Sequence, residues 1–423
     1  MKEIIVEFEK IGHNGVSIGR YNGKVVFAYG ILPGERAKIK VIKEKRNLIE
    51  GEVEEILEKS KFRIKEKEDH FLSCSPWQVF DYSYQIEIKK ELLKEIYFQF
   101  AQRQINLNDF FSSPKIFGYR TKIEYSFLEE NGQYFYAFHK RGDFKEKIKL
   151  EEGCNLISDE ANFIAFEILK DINEEKLSGL KSLIIRKSQR FRDIHISLLT
   201  FQKNQNFKFQ NKNLSGAAFI YSRKESPAST FDEVISEYGS VDLREKILDL
   251  EIRYHYSSFF QNNVDLFEKA LKIMQENSKE FKKVVDLYSG VGVIGLSLKN
   301  FAKEILFVEI DKTAIEYTKI NAELNNVKNF KAINLPSEKI PKEILENVDL
   351  LILDPPRAGL HKKLIKLILE QKPKNIFYLS CNPITQARDF GLLKDYYELN
   401  KIYGLDFYPN TPHMETLLIL KLK

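Results

Sequence analysis

The sequence predicts an α/β chain in three parts: a small closed β-barrel over residues 1–60, a central α+β insert over 61–250 and a C-terminal parallel sheet over 251–423. Three observations carry this. The apolar run Val284-Val285-Asp286-Leu287 leads straight into Tyr288-Ser289-Gly290-Val291-Gly292-Val293-Ile294-Gly295, which reads as a buried strand, a glycine-rich turn and the start of a helix. Later apolar runs at 305–308, 350–353 and 376–379 each end in chemically capable residues: Glu309, Asp354-Pro355-Pro356-Arg357 and Ser380-Cys381-Asn382-Pro383. At the N-terminus, short alternating runs are punctuated by Asn14-Gly15 and Asn22-Gly23, which are hairpin signals.

Composition narrows the class. A length of 423 residues fits two or three domains at roughly 150 residues each. With 43% hydrophobic and 30% charged residues the chain reads as an ordinary globular protein. No stretch reaches the roughly 18 apolar residues of a membrane helix. Met1-Lys2-Glu3-Ile4 starts in a strand pattern rather than a signal segment, so a cytoplasmic, membrane-free protein is expected, with a monomer as the default. The net charge of +5, from 66 basic and 61 acidic residues, permits a nucleic-acid partner without requiring one. Cys74, Cys154 and Cys381 cannot make a paired disulfide framework, which agrees with a reducing compartment.

In chain order, the barrel strand containing Lys38, Lys40 and Lys43, with Lys45 and Arg46 beyond it, spaces its cations so that several share one face. They read either as phosphate contacts or as a solvated strand edge. A charged connector follows at 59–69. Ile88, Leu92, Ile96 and Phe100 then recur at fourfold spacing, predicting an amphipathic helix from Tyr84 to about Ala101. The segments 119–127, 134–141 and 193–198 alternate like antiparallel strands. Arg120, Lys122, His139, Lys140 and Arg141 stand there among Tyr119, Tyr125 and Phe138, a mixture suited to unstacked bases and phosphates, or to an exposed sheet face. Val264, Phe267, Leu271 and Met274 mark a helix before the first strand of the C-terminal sheet.

Gly290-x-Gly292-x-x-Gly295 on its own is read equally well as tight packing or as a cofactor turn. Glu309, about twenty residues on, adds the acidic side chain that meets a ribose at the next strand tip. The tips should share one crevice, because ligands of open α/β sheets gather at the carboxyl ends of the strands. The successive motifs DLYSGVGVIGLSL, FVEID, LDPPRAGL, YLSCNP and PHMETLLIL resemble, in order and spacing, those of the S-adenosylmethionine-dependent RNA (uracil-5-)-methyltransferases, from about Ser257 to the C-terminus. The stretch NGKVVFAYGILPGERAKIKVIKEKRNLIEGEVEEIL resembles the TRAM domain, an OB-like barrel.

The resemblance implies a Rossmann-like methyltransferase sheet and assigns roles. Cys381 would be the nucleophile that adds to carbon 6 of uracil, and Glu415 the base that removes the carbon 5 proton, with His413 as runner-up. Groups near Cys381 are expected to favour its thiolate. Gln261, Tyr288, Gly290, Glu309 and Asp354 would hold S-adenosyl-L-methionine, although Phe259-Phe260-Gln261-Asn262-Asn263 alone reads as a helix N-cap region. Arg120, Lys122, His139 and Arg141 would face RNA. Relatives carry four cysteines for a four-iron cluster, and the matching positions here are Glu68, Cys74, Trp77 and Cys154. No iron–sulfur cluster and no other metal is therefore expected, with Cys74 and Cys154 as small buried groups and Trp77 filling the cluster space. Arg357 after Asp-Pro-Pro, where amino-directed methyltransferases carry an aromatic residue, argues against nitrogen methylation. The expected substrate is structured RNA, 23S ribosomal RNA first and tRNA second. A non-catalytic RNA-binding protein with a decayed site is the reading from another class.

Overall fold

Alternation of apolar and polar residues closes the N-terminal strands into a ring in the computed structural model, which describes residues 2–227 and 229–423. Glu3–Ile11 pairs antiparallel with Ser17–Tyr21 and Arg36–Glu44, and Leu48–Glu58 runs parallel to Lys24–Ala28 to complete the barrel. Ile4, Val6, Phe8, Val26, Ala37, Ile39 and Ile49 fill its interior. Asn22 and Gly23, at φ 48° and 79°, form the two-residue turn that joins Tyr21 to Lys24. Asn14-Gly15 instead sits in a longer loop between Ile11 and Ser17. The strand Leu48–Glu58 sets Glu55 and Glu52 opposite Lys38 and Lys40, and Lys38 is paired with Glu3 at 2.7 Å and Glu54 at 3.1 Å. Lys38 therefore has its charge matched within the barrel, as in a solvated strand edge.

The charged connector is anchored. Arg63 forks onto the fully buried Glu35, with Nε–Oε1 at 2.6 Å and the terminal nitrogen to Oε2 at 2.7 Å. Beyond it, a seven-stranded sheet forms in the order Glu233–Gly239, Gly216–Tyr221, Ile194–Thr200, Leu180–Lys187, Lys122–Glu130, Gln133–Lys140, Asp143–Lys149. The helix Asp159–Glu174, capped by Ser158 with Asp159 and Glu160 in its first turn, lays Ile164, Ile168 and Ile172 against it.

The C-terminal sheet has eight strands in the order Phe330–Asn334, Ala302–Glu309, Phe281–Leu287, Leu350–Leu353, Asn375–Ser380, Glu415–Leu422, Tyr397–Leu405, Asp109–Phe111. The first five are parallel, and Glu415–Leu422 runs antiparallel to both its neighbours. Strand order reverses at Phe281–Leu287, whose partners on either side are Ala302–Glu309 and Leu350–Leu353. That is the switch point where such sheets open a crevice. Successive strand residues divide between two cores: Val284, Ile305 and Ile352 face one, while Val285, Leu306 and Leu351 face the other.

Two pieces of this unit come from before residue 251. The helix Tyr82–Ala101 covers one face of the sheet through Leu92, Leu93 and Ile96, and Asp109–Phe111 pairs in parallel with Tyr397–Leu405 as the edge strand. The helix also grips the loop that leads to the last strand. Lys89 Nζ meets Asp406 Oδ1 at 2.5 Å with both side chains fully buried, and Gln85 exchanges hydrogen bonds of 2.9 Å with the Asn410 side chain and backbone N–H. Removing one partner of a buried ion pair strands the other charge. Lys89→Met should therefore destabilise the fold by about 3–5 kcal/mol, read as a lower urea midpoint, and Asp406→Leu added to it should recover much of the loss. Equal stability of Lys89→Met and the parent would show that the pair contributes nothing.

Candidate active site

The site begins at the glycine turn. Tyr288, Gly290 and Gly292 all adopt positive φ, at 61°, 54° and 87°. A Cβ on Gly295 would lie 2.4 Å from the Phe307 ring, so this position must be bare for the turn to close on the sheet. The Gly295 N–H donates to Asp286 Oδ2 at 2.9 Å. Burial, then repulsion from Asp354 and Glu309, pushes the Asp286 carboxyl up to about 8. Glu309 is oriented by two backbone donors, Gly290 N–H on Oε2 and Asp311 N–H on Oε1, each at 2.9 Å. These residues open into a cavity of about 810 Å³, bordered also by Gln261, Asp354, Cys381 and Glu415. Gln261 Oε1, Asn262 Oδ1, Ser289 Oγ and Glu415 Oε2 border it as buried polar atoms without a hydrogen-bond partner among the described residues. Each such group costs about 1–3 kcal/mol unless something polar meets it, so the cavity is built for a polar ligand.

Cys381 and Glu415 are brought together by register. Ser380 pairs with Thr416 across two antiparallel strands, so the next residue outward on one is Cys381 and on the other Glu415. The Ser-Cys-Asn-Pro sequence sets the local geometry: Ser380 Oγ accepts from Asn382 N–H at 3.1 Å, and Asn382 caps the helix Pro383–Leu393. Asn382 Nδ2 and Thr385 Oγ1 donate to the Arg357 carbonyl at 2.8 and 3.2 Å, which fixes Arg357 beside the thiol. Asp354, at the next strand tip, accepts from Gln261 Nε2 at 3.3 Å, and burial lifts its carboxyl to about 7.

The expected thiolate-favouring surroundings are not what the fold supplies. Burial first, then the Glu415 carboxyl, pushes the Cys381 thiol up to about 11, with Arg357 opposing. Burial and the neighbouring Asp354 raise Glu415 well above the carboxylate range, against Arg357 and the Tyr408 hydroxyl. Because only the thiolate reacts, alkylation of Cys381 by iodoacetamide should rise about tenfold per pH unit from about pH 7 to about pH 10. Peptide mass spectrometry can follow it separately from Cys74 and Cys154, and a plateau near pH 8 would contradict the raised pKa.

Of the sequence-predicted RNA residues, Arg120 borders the main cavity. It also lines, with Arg141, Cys74 and His413, an adjoining cavity of about 330 Å³. Lys122 and His139 line neither. Lys122 reaches Ser229 Oγ, in the turn before Glu233–Gly239, at 3.4 Å, and His139 lies exposed on Gln133–Lys140. Tyr408 carries no signal in the sequence, because its aromatic, proline-flanked segment resembles plain core. It borders the cavity and its hydroxyl opposes the rise in the Glu415 pKa. His413 is pulled down to about 4 by the pocket walls and by Arg357, Lys89, Arg120 and Arg141. From the barrel side, His13 and Asn14 share a third cavity, of about 200 Å³, with Cys381, Arg357 and His413. A Cβ on Gly15 would lie 2.3 Å from Pro412, so the barrel loop seats directly on the segment preceding Glu415.

Comparison with known proteins gives the family. The family model described as tRNA (Uracil-5-)-methyltransferase matches residues 81–423, and that of the TRAM domain matches residues 2–53. The chain is similar to a protein named as an RNA methyltransferase from Nanoarchaeum equitans, 32% identical over 436 residues that cover 98% of this chain and 92% of that one. It is also similar to one from Caldanaerobacter subterraneus subsp. tengcongensis, 28% identical and covering 99% and 98%. Among solved structures it is similar to the Pyrococcus abyssi tRNA (uracil-54, C5)-methyltransferase in complex with S-adenosyl-L-homocysteine, with a TM-score of 0.78, 24% identity and 99% and 100% of the two chains covered. That likeness bears on the fold, barrel included.

Proposed function

The chain belongs to the tRNA (uracil-5-)-methyltransferase family, and from that premise we propose that it transfers a methyl group from S-adenosylmethionine to carbon 5 of a uridine in structured RNA. The observation that carries this is the Ser380–Thr416 register, which sets Cys381 and Glu415 side by side on the wall of the cavity that also holds the glycine turn.

The unpartnered polar atoms and the oriented Glu309 carboxylate fit a cofactor with a sugar and a charged amino-acid tail. Glu309 would take the ribose hydroxyls, and Gln261, Tyr288, Gly290 and Asp354 would hold the rest. S-adenosylmethionine supplies an electrophilic methyl group when bound there. The work left to the chain is to make carbon 5 of uracil a nucleophile and then to restore the ring. Cys381 gives up its thiol proton to water and adds through sulfur to carbon 6, and the electron pair of the 5,6 double bond moves toward carbon 5, with negative charge on the carbonyl oxygen. Once carbon 5 carries the methyl group, Glu415 accepts its proton. The released pair reforms the double bond and expels the thiolate. Arg357, beside the thiol, favours its ionised form in both directions.

Arg120 and Arg141, on the adjoining cavity, support recognition of a base turned out of its stack and of its phosphates. Large-subunit ribosomal RNA is the first reading for the substrate. Transfer RNA is the second, favoured by the full-length likeness to the P. abyssi enzyme, barrel included. Incubation with S-adenosylmethionine and 5-fluorouridine-substituted RNA should leave a covalent protein–RNA adduct, because fluorine cannot depart as a proton. Ribosomal fragments and tRNA transcripts run in parallel identify the preferred RNA. Absence of an adduct with either would overturn the proposal.

A further inference from the structure

In the central part, Glu68, His70, Cys74 and Cys154 offer ligand atoms that all lie within 4.8 Å of one another. Glu68 Oε1 is 3.3 Å from His70 Nε2, and Glu68 Oε2 is 3.7 Å from Cys74 Sγ. Four donors bonded to one ion at about 2.0–2.3 Å in a tetrahedron stand about 3.3–3.8 Å apart, so the set needs little closure to meet that geometry. A four-iron cube needs four thiolates spread around a much larger body. Trp77, at one of the cysteine positions implied by resemblance, supplies no thiolate: it stacks on Phe80 at 5.3 Å and its Nε1 donates to the Gly15 carbonyl at 3.3 Å. The residues present do not fit the cluster. The fourth donor is His70, which no motif in the sequence marks.

We propose that Glu68, His70, Cys74 and Cys154 bind a single zinc ion. Two thiolates and an imidazole select zinc among common divalent ions, and one carboxylate completes a four-coordinate set. Three of the four donors are nearly enclosed, Glu68 at 7% exposed, His70 at 8% and Cys154 at 0%, while Cys74 is half-buried at the edge of the adjoining cavity. His70 Nε2 is buried 3.3 Å from Glu68 Oε1 without a well-formed hydrogen bond there, so the ring nitrogen faces the other donors of the set. The carboxylate is oriented by its neighbours, accepting from the Asn155 N–H and from Gln78 Nε2. With both thiols ionised and Glu68 charged, a divalent ion leaves a net charge of about −1, and the Arg120 guanidinium lies within electrostatic reach of both sulfurs. The ion would staple the 68–74 segment to the turn at Cys154, behind the cavity where Arg120 and Cys74 meet His413.

Metal analysis tests this on the intact chain. Protein reconstituted with zinc and desalted should carry about one zinc per chain. Cys154→Ser and His70→Ala should fall below about a tenth of that, while Cys381→Ser keeps it. Cobalt(II) in place of zinc should give the visible bands of a tetrahedral thiolate site. X-ray absorption on the unaltered protein, which does not depend on any variant folding, should find two sulfur neighbours at about 2.3 Å and two nitrogen or oxygen neighbours at about 2.0–2.2 Å. Less than about a tenth of an equivalent of zinc after reconstitution, iron accompanied by acid-labile sulfide, or a Cys74–Cys154 disulfide in zinc-treated protein would each overturn it.

Discussion

Cys381→Ala should lower methyl transfer to uridine by on the order of 10⁴-fold or more and abolish the covalent adduct with 5-fluorouridine RNA. The loss follows from the substrate: carbon 5 of an intact uracil ring has too little electron density to take a methyl group, and no other described thiol borders the cavity. The fold should survive, because the elements that hold the strand tip do not involve the sulfur. Ser380, Asn382 and Thr385 bond to one another and to the Arg357 carbonyl. Circular dichroism and RNA affinity should therefore match the parent. Methylation within tenfold of the parent rate would end the case for a thiol adduct.

Glu415→Gln should separate methylation from release. The amide fills the same buried position but cannot accept the carbon 5 proton, so natural RNA should be methylated once per enzyme and stay attached. Turnover would fall by about 10²–10⁴-fold while a denaturation-resistant complex accumulates. His413 is a poor substitute base, since its pKa of about 4 leaves little affinity for a proton, whereas burial and Asp354 make Glu415 a stronger proton acceptor than an ordinary glutamate. Free 5-methyluridine RNA released at the parent rate would show that another group takes the proton. Gel electrophoresis under denaturing conditions distinguishes the two outcomes.

What can be read from the sequence follows from what each element must bury. Parallel strands covered on both faces are continuous apolar runs, so the tips at Glu309, Asp354 and Cys381 are marked by the residues themselves. The last strand is a like apolar run, but only its antiparallel pairing in the structure sets Glu415 beside Cys381. The edge strand Asp109–Phe111 is not, because three residues carry no period. Nor is His70, on a loop whose meaning depends on a cysteine more than eighty residues away in Cys154. The acidity of Cys381 runs against the sequence-based expectation, since it depends on enclosure and on a carboxyl from a different strand. The lysines of the barrel are visible, but their glutamate partners are cross-strand neighbours that only pairing register reveals.

The borrowed strand at 109–111 imposes an order on biosynthesis. It and the helix Tyr82–Ala101 leave the ribosome long before Tyr397–Leu405 and Glu415–Leu422, so for most of translation they have no sheet to join. A fragment begun at residue 251 would display an uncovered apolar face and a bare backbone edge on Tyr397–Leu405, inviting self-association. Dissection of this protein into a separate catalytic piece must therefore start upstream of Tyr82.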